Sequence, residues 1–477
     1  MTDHADMSHP GAVRAPALRR AAVPGSMRRM DSRRELVDQA LKGVEAWEAR
    51  WGAVPGAPAL TPDVDVAALL EDYAERMDAT LPFFHPRYAG QMLKPPHPVA
   101  VAAYLAAMVV NPNNHALDAS QATSPMEVEV MASLTEMFGL PEVALGHLTS
   151  SGTIANLEAL WVARELAPGK AVVHSADAHY THGRMCQVLG VESRAVPAAP
   201  DGRIDLDAVA AQLRRGDVGT VVLTPGTTGL GAVDDVRAAL ELKDRYGARL
   251  HVDGAYGGFY ALLGEHDAYP AIGGCDSVVV DPHKHGLQPY GCGAVLFADP
   301  GVGRFYRHDS PYTYFTSDEL HLGEISLECS RAGAAAGALW LTLRAFPLER
   351  ERGLGAILAA CRRAALDLAA RVRASDTLQL HLDPALDIVS YWPRRSRMSE
   401  IDAASEAMLH AGMAPDADEP VFLSTLRVDA GAFAALHPDV ERDADTVRIL
   451  RSVLMKPEHE GWVDPLHARL EALARAA

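Results

Sequence analysis

Apolar and polar positions divide the chain into three stretches. Between residues 36 and 80 the apolar residues Leu36, Ala40, Leu41, Val44 and Trp47 fall near helical spacing, so this stretch reads as helical. The run LPFFHPRYAGQMLKPPHP (81–98) is dense in proline and aromatics and reads as an ordered loop. From about residue 140 short apolar runs alternate with amphipathic ones. GHLTSSGTIANLEALWVAREL (146–166) is a strand, a turn of small residues and a helix with Ile154, Leu157, Leu160 and Trp161 on one side. Further strands are expected at 170–174, 220–224, 250–253 and 276–280, with a helix over 234–246 between two of them. This alternation predicts an α/β fold with a mostly parallel sheet covered by helices on both faces. After RAGAAAGALWLTLRAF (331–346) three candidate strands, LQLHLD, FLSTLRV and TVRILRSVLM, alternate with helical stretches. They point to a smaller C-terminal α+β domain. The expected division is an N-terminal arm (1–35), a helical segment (36–85), a large domain (86–345) and a small domain (346–477).

Composition narrows the classes of function. The chain has 477 residues, more than one small core serves, and is 48% hydrophobic and 22% charged, as soluble globular proteins are. A net charge of -18 repels phosphate backbones and anionic lipid, which argues against nucleic-acid and membrane-surface partners. No apolar run is long enough to span a bilayer. Five scattered cysteines without a C-x-x-C pair argue against a disulfide framework or zinc site and for a reducing, cytoplasmic setting. Residues 1–35 lack the apolar core of a secretory signal and read as a loosely docked arm.

The chemistry concentrates at strand ends. Asp253 in HVDGAYGG (251–258) ends an apolar strand at the edge where open α/β sheets bind ligands. Lys284 in DPHKHG (281–286) follows the next apolar run, Val278-Val279-Val280. Lysine is rare beside such a run unless something pairs with it. Pyridoxal 5'-phosphate needs both residues: an amine to form a Schiff base with its aldehyde, and a carboxylate to keep its ring nitrogen protonated. Its phosphate needs clustered N–H donors, which Ser151, Gly152 and Thr153 supply at a helix start. An N-cap uses the same groups, so this motif alone decides nothing. Thr228 in VVLTPGTTGLG (221–231) is within reach of the same phosphate.

Taken together, TSSGTIANLEAL, SADAHYTH, LTPGTTGLGAVDD, LHVDGAYGG and DSVVVDPHKHG resemble, in order and spacing, the group II pyridoxal-phosphate-dependent amino-acid decarboxylases. The likeness extends to TSPMEVEVMASLTEMFGLPE upstream and LRSVLMKPEHEGWVDPLHARLEAL near the end. It implies the aspartate-aminotransferase-like architecture (fold type I), with a seven-stranded sheet in the large domain and a homodimer sharing its active sites. It implies Lys284 as the Schiff-base lysine, Asp253 at the pyridine nitrogen and Ala255 beneath the ring. His179 stacks on the other face, near the substrate carboxylate. Gly152, Thr153 and Thr228 bind phosphate with Ser151 adjacent, and His283 sits beside the Schiff base or phosphate, or simply donates to backbone. A tyrosine on the segment RHDSPYTYFTSDELHLGE (307–324) protonates the product carbanion, Tyr314 being preferred to Tyr312, with Lys284 as an alternative donor. Arg331, Tyr88 and His115 are candidates for the substrate pocket or for packing. Asp281 stands where many members have Asn, and His285 replaces a common aromatic, so no phosphate contact is assigned to Asp281.

The reaction so implied is decarboxylation of an L-amino acid to its amine and CO2. Carbon–carbon lyase, aldehyde-synthase and aminotransferase chemistry are alternatives on the same scaffold, and a cofactor-binding pseudoenzyme is the non-enzyme reading.

Overall fold

The computed structural model describes residues 32–52, 62–307, 326–414 and 417–477. The stretch expected to be helical holds two helices, α1 (Arg33–Glu48) and α2 (Val66–Met77). Ser32 and Glu35 form a capping box at the start of α1, and the Asp65 carboxylate accepts the first amides of α2. The prolines and aromatics that follow form a loop leading to α3 (Pro98–Val110) and α4 (Thr123–Phe138).

The strands of the large sheet are β1 (Leu145–Thr149), β2 (Ala171–Ser175), β3 (Ser193–Val196), β4 (Val218–Leu223), β5 (Arg249–Asp253), β6 (Ser277–Val280) and β7 (Gly293–Phe297). Their order is β1-β7-β6-β5-β4-β2-β3. The run β6-β5-β4-β2-β3 is parallel, and β7 is antiparallel to both of its neighbours. Both faces are covered, as a continuous apolar strand demands. Val278 and Val280 of β6 enter the core that holds Leu223, Val252 and Phe259, whereas Val279 joins Ala155, Val295 and Phe297 on the opposite face. Helices α5 (Gly152–Leu166) and α6 (Thr181–Leu189) follow β1 and β2, so both start at one edge of the sheet.

A second, antiparallel sheet of four strands has the order β10-β11-β9-β8, from β8 (Leu378–Leu382), β9 (Ile388–Pro393), β10 (Ser424–Asp429) and β11 (Thr446–Val453). Three of these match the expected strands, and β9 was not expected. The two sheets meet near the carboxyl edge of the larger one. Tyr256, just after β5, donates to Asp387 beside β9 at 2.5 Å. Among the described residues no helix is long and apolar enough to cross a membrane.

Candidate active site

Parallel pairing of β5 with β6, with Asp253 opposite Val279, carries Asp253 and the 281–284 turn to the same edge. There Ser151, Gly152, Thr153, His179, Thr228, Asp253, Ala255, His283 and Lys284 line one cavity of about 240 Å³. The residues expected to hold the cofactor are therefore in one place. Tyr312 and Tyr314 lie outside the described residues.

Lys284 reaches into the cavity from the turn after β6, its side chain 22% exposed, and its Nζ lies 3.0 Å from Asp281 Oδ2. Burial works to lower its pKa, but the carboxylates of Asp281 and Asp253 outweigh burial and raise it. Asp253 is buried. Its Oδ2 receives a hydrogen bond from His182 Nε2 at 2.8 Å and its Oδ1 one from the Ala255 amide at 3.2 Å. Burial pushes its pKa up, yet the bond from His182 and the charge of Lys284 prevail and hold it below the usual carboxylate range.

The helix start is shaped for an anion. Ser151 caps α5, its hydroxyl accepting the Ile154 amide at 3.3 Å, and the first amides of any helix have no intrahelical partner. A Cβ on Gly152 would lie 2.6 Å from Asp281 Oδ2, so only glycine fits. Thr153 Oγ1 and Thr181 Oγ1 are 3.3 Å apart and tie the start of α5 to that of α6. Two cavity-lining atoms, Thr224 Oγ1 and Asp281 Oδ1, are buried with no hydrogen-bond partner among the described residues. An amine, a buried carboxylate, free helix amides and the unpartnered Thr224 hydroxyl form the set of groups that pyridoxal 5'-phosphate requires, so the residues present fit the group.

The two histidines of the expected set differ. His179 is half-buried, accepts the Thr181 amide through Nδ1 at 3.3 Å and packs 4.3 Å from the Tyr180 ring. His283 is buried, bonds the Cys292 carbonyl through Nδ1 at 2.7 Å and lies 3.5 Å from Asp281. Burial lowers the pKa of both. The backbone bond foreseen for His283 is present, and so is its place in the cavity.

Three further candidates lie outside the cavity lining. Arg331 pairs with buried Glu127 at 2.8 Å and donates to the carbonyls of Leu148 and Asn114. Tyr88 is buried against Phe83 and Phe422, and its carbonyl accepts from Lys456 at 2.6 Å. His115 is half-buried, its amide bonded to Asn113.

Residues missed by sequence reasoning include His182, Asn156, Thr224, Tyr256 and Arg451. His182 had a signal, since it follows His179 by three residues, one turn along the start of α6. Arg451 had none. It comes from β11 and donates to the Thr228 and Gly229 carbonyls, to Gln91 at 2.6 Å and to Ser424 at 2.9 Å. No carboxylate pairs with it among the described residues. Arg451 also lines a second cavity, about 560 Å³, that shares His179, Tyr180 and Thr228 with the first.

Comparison with known proteins agrees with this chemistry. The family model of the pyridoxal-dependent decarboxylase conserved domain matches residues 57–394. A probable L-aspartate decarboxylase of Halobacterium salinarum is 35% identical over 278 residues, covering 57% of this chain and 77% of that protein. The L-tyrosine decarboxylase of Enterococcus faecium is 28% identical over 401 residues, covering 61% of this chain and 66% of that protein. A crystal structure of Oryza sativa TDC with PLP and tryptamine superposes with a TM-score of 0.74 at 17% identity, covering 94% of this chain and 99% of that one. A likeness at that identity speaks for the fold, which is that of the fold type I decarboxylases. With the family match spanning most of its length and the matching chemistry gathered at one sheet edge, the chain belongs to the pyridoxal-dependent decarboxylases.

Proposed function

We propose that the protein decarboxylates an L-amino acid, with pyridoxal 5'-phosphate held by Lys284, Asp253 and the start of α5. The observation that carries this reading is the meeting of Lys284 Nζ, the buried Asp253 carboxylate and the Gly152–Thr153 helix start in one cavity. When bound, the cofactor supplies an electron sink for the pair left behind by departing CO2. Lys284 is the attachment amine, and Asp253 keeps the ring nitrogen protonated by staying ionised. Ser151, Gly152, Thr153 and Thr228 hold the phosphate, with His283 beside Lys284. Ala255 and His179 bound the two faces of the ring, and His179 helps keep water from the reacting bond. Arg451, a buried guanidinium without a carboxylate partner among the described residues, provides the charge for a substrate carboxylate. The adjoining cavity gives room for the substrate side chain. Tyr314 is proposed as proton donor on the resemblance alone.

Relatives named for aspartate and for tyrosine leave both acidic and aromatic substrates in view. We assign residues 86–345 to the cofactor-binding domain and 346–477 to the small domain, and propose a homodimer acting in the cytoplasm.

The test has two parts. Borohydride reduction of the holoenzyme followed by peptide mapping should place the adduct on Lys284, and Lys284→Ala should abolish it. A panel of L-amino acids should then yield CO2 and amine in equal amounts. An adduct elsewhere sinks the site, and aldehyde without CO2 replaces decarboxylation by lyase chemistry.

A further inference from the structure

The carboxylate assigned to the ring nitrogen is itself held by a second side chain. His182 Nε2 lies 2.8 Å from Asp253 Oδ2, the imidazole being fully buried and the carboxylate 5% exposed. Two other imidazoles flank it, His174 with ring centres 6.0 Å away and His251 at 6.3 Å. Both are committed elsewhere. His174 bonds the Ser175 carbonyl and the Ser193 hydroxyl, each at 2.8 Å. His251 bonds Ser277 at 2.9 Å and Asn156 at 2.8 Å. Neither has a nitrogen left for His182, whose Nδ1 is buried with no partner among the described residues.

This arrangement fixes the direction of the bond. An ionised carboxylate only accepts, so Nε2 of His182 carries a hydrogen and donates it to Asp253. Asp253 is thus the imidazole's one polar partner among the described residues. Burying an imidazole for packing alone costs free energy that an apolar side chain would not. Of the other buried positions of α6, Met185 and Cys186 are filled by such side chains, and Thr181 carries only a hydroxyl. The cost at position 182 is offset where the ring donates to a charged acceptor.

We infer that His182 is a positioning residue for Asp253, fixing the plane of its carboxylate and stabilising its ionised form where it faces the ring nitrogen of the cofactor. The inference rests on the cofactor site proposed above. Lys284 acts on Asp253 as well, but through space, whereas His182 is bonded to it. His182 does not line the cavity itself. Its effect is on how strongly Asp253 holds the proton of the pyridine nitrogen.

The experiment uses full-length protein stripped of cofactor and reloaded with pyridoxal 5'-phosphate. His182→Leu removes the donor and His182→Gln keeps one. The Leu variant should bind the cofactor about tenfold more weakly or worse, the worth of one hydrogen bond to a charged group. It should also shift the absorbance of bound cofactor, and the Gln variant should recover most of both effects. In an Asp253→Asn background His182→Leu should add almost nothing, because the two residues act as one unit. Wild-type affinity and spectrum in the Leu variant overturn the inference. So does an equal loss in the Asn background, which would mark His182 as packing only. Should the Leu variant not fold, ring-nitrogen NMR of the wild-type apoprotein decides. The His182 Nε2–H signal must move in Asp253→Asn, and a stationary signal refutes the bond. Failure of the wild-type protein to bind the cofactor would instead remove the site assignment itself.

Discussion

At the scale of single residues, the site was legible where short motifs carry chemistry in fixed order. Lys284, Asp253 and Gly152 were readable because each sits at a strand end or helix start that the apolar pattern marks, whereas His179 was singled out only by the family resemblance. Asp281 was legible only as a departure. Its carboxylate turns to Lys284 and packs against the α carbon of Gly152, leaving space for hydrogen only. Gly152→Ala would put a methyl 2.6 Å from Asp281 Oδ2, and Asp281 is 3% exposed with little freedom to retreat. The expected result is a loss of roughly 1–3 kcal/mol in stability, as for other overpacked sites, together with weakened cofactor binding. Urea denaturation and cofactor titration of the variant check both. A variant that melts and binds like the wild type would show that the helix start moves freely away from Asp281. Arg451 was not legible, because its hydrogen bonds reach Thr228 and Gln91 across more than 200 residues of chain, and no local pattern reports such a meeting.

At the scale of elements, the parallel strands β4, β5 and β6 were readable as buried apolar runs. β3 was not, since it is four residues long, lies at the sheet edge and has one buried residue. β9 is buried at every position, so it lacks the alternation that marks a half-buried strand, and it begins only a short loop after β8. The N-terminal stretch shows the opposite discrepancy. Helix α2 has the apolar content of a packed helix, yet none of its residues is buried. Leu69, Leu70, Tyr73 and Met77 are all exposed, and their spacing of three or four residues places them on one face. An apolar face of this kind marks an interaction surface, and the proposed homodimer would cover it. Leu70→Glu should then leave the melting of the isolated subunit unchanged while weakening dimerisation about tenfold or more, measured by sedimentation equilibrium. A wild-type protein that sediments at 51.1 kDa at every concentration rules the dimer out.

At the scale of the whole molecule, both sheets depend on histidines kept uncharged. His251 lies in the large sheet, His381 in the small one, and His459 beside the loop that carries Tyr88. All three are buried, and burial lowers each to about 3 from an ordinary 6.5. Between pH 6.5 and 3 the unfolded chain therefore binds protons at these positions that the folded chain refuses. Stability rises with pH wherever the unfolded state binds more protons, so here it is complete above pH 6.5 and lost as pH falls. Each histidine contributes a slope approaching about 1.4 kcal/mol per pH unit. Asp234 opposes them. Burial raises it from 3.8 to about 6, against two backbone amides that lower it, so the folded chain takes up its proton first between pH 6 and 4. One carboxyl offsets one histidine over that window, and the remaining two still favour unfolding. The urea midpoint of the apoprotein should hold steady from pH 8 to 7 and fall steeply from 6 to 4.5. His251→Asn should make that fall shallower, whatever it does to stability at pH 8. A midpoint independent of pH from 6.5 to 4.5 would mean that these imidazoles accept protons inside the fold, and the burial that sets their charge state would be wrong.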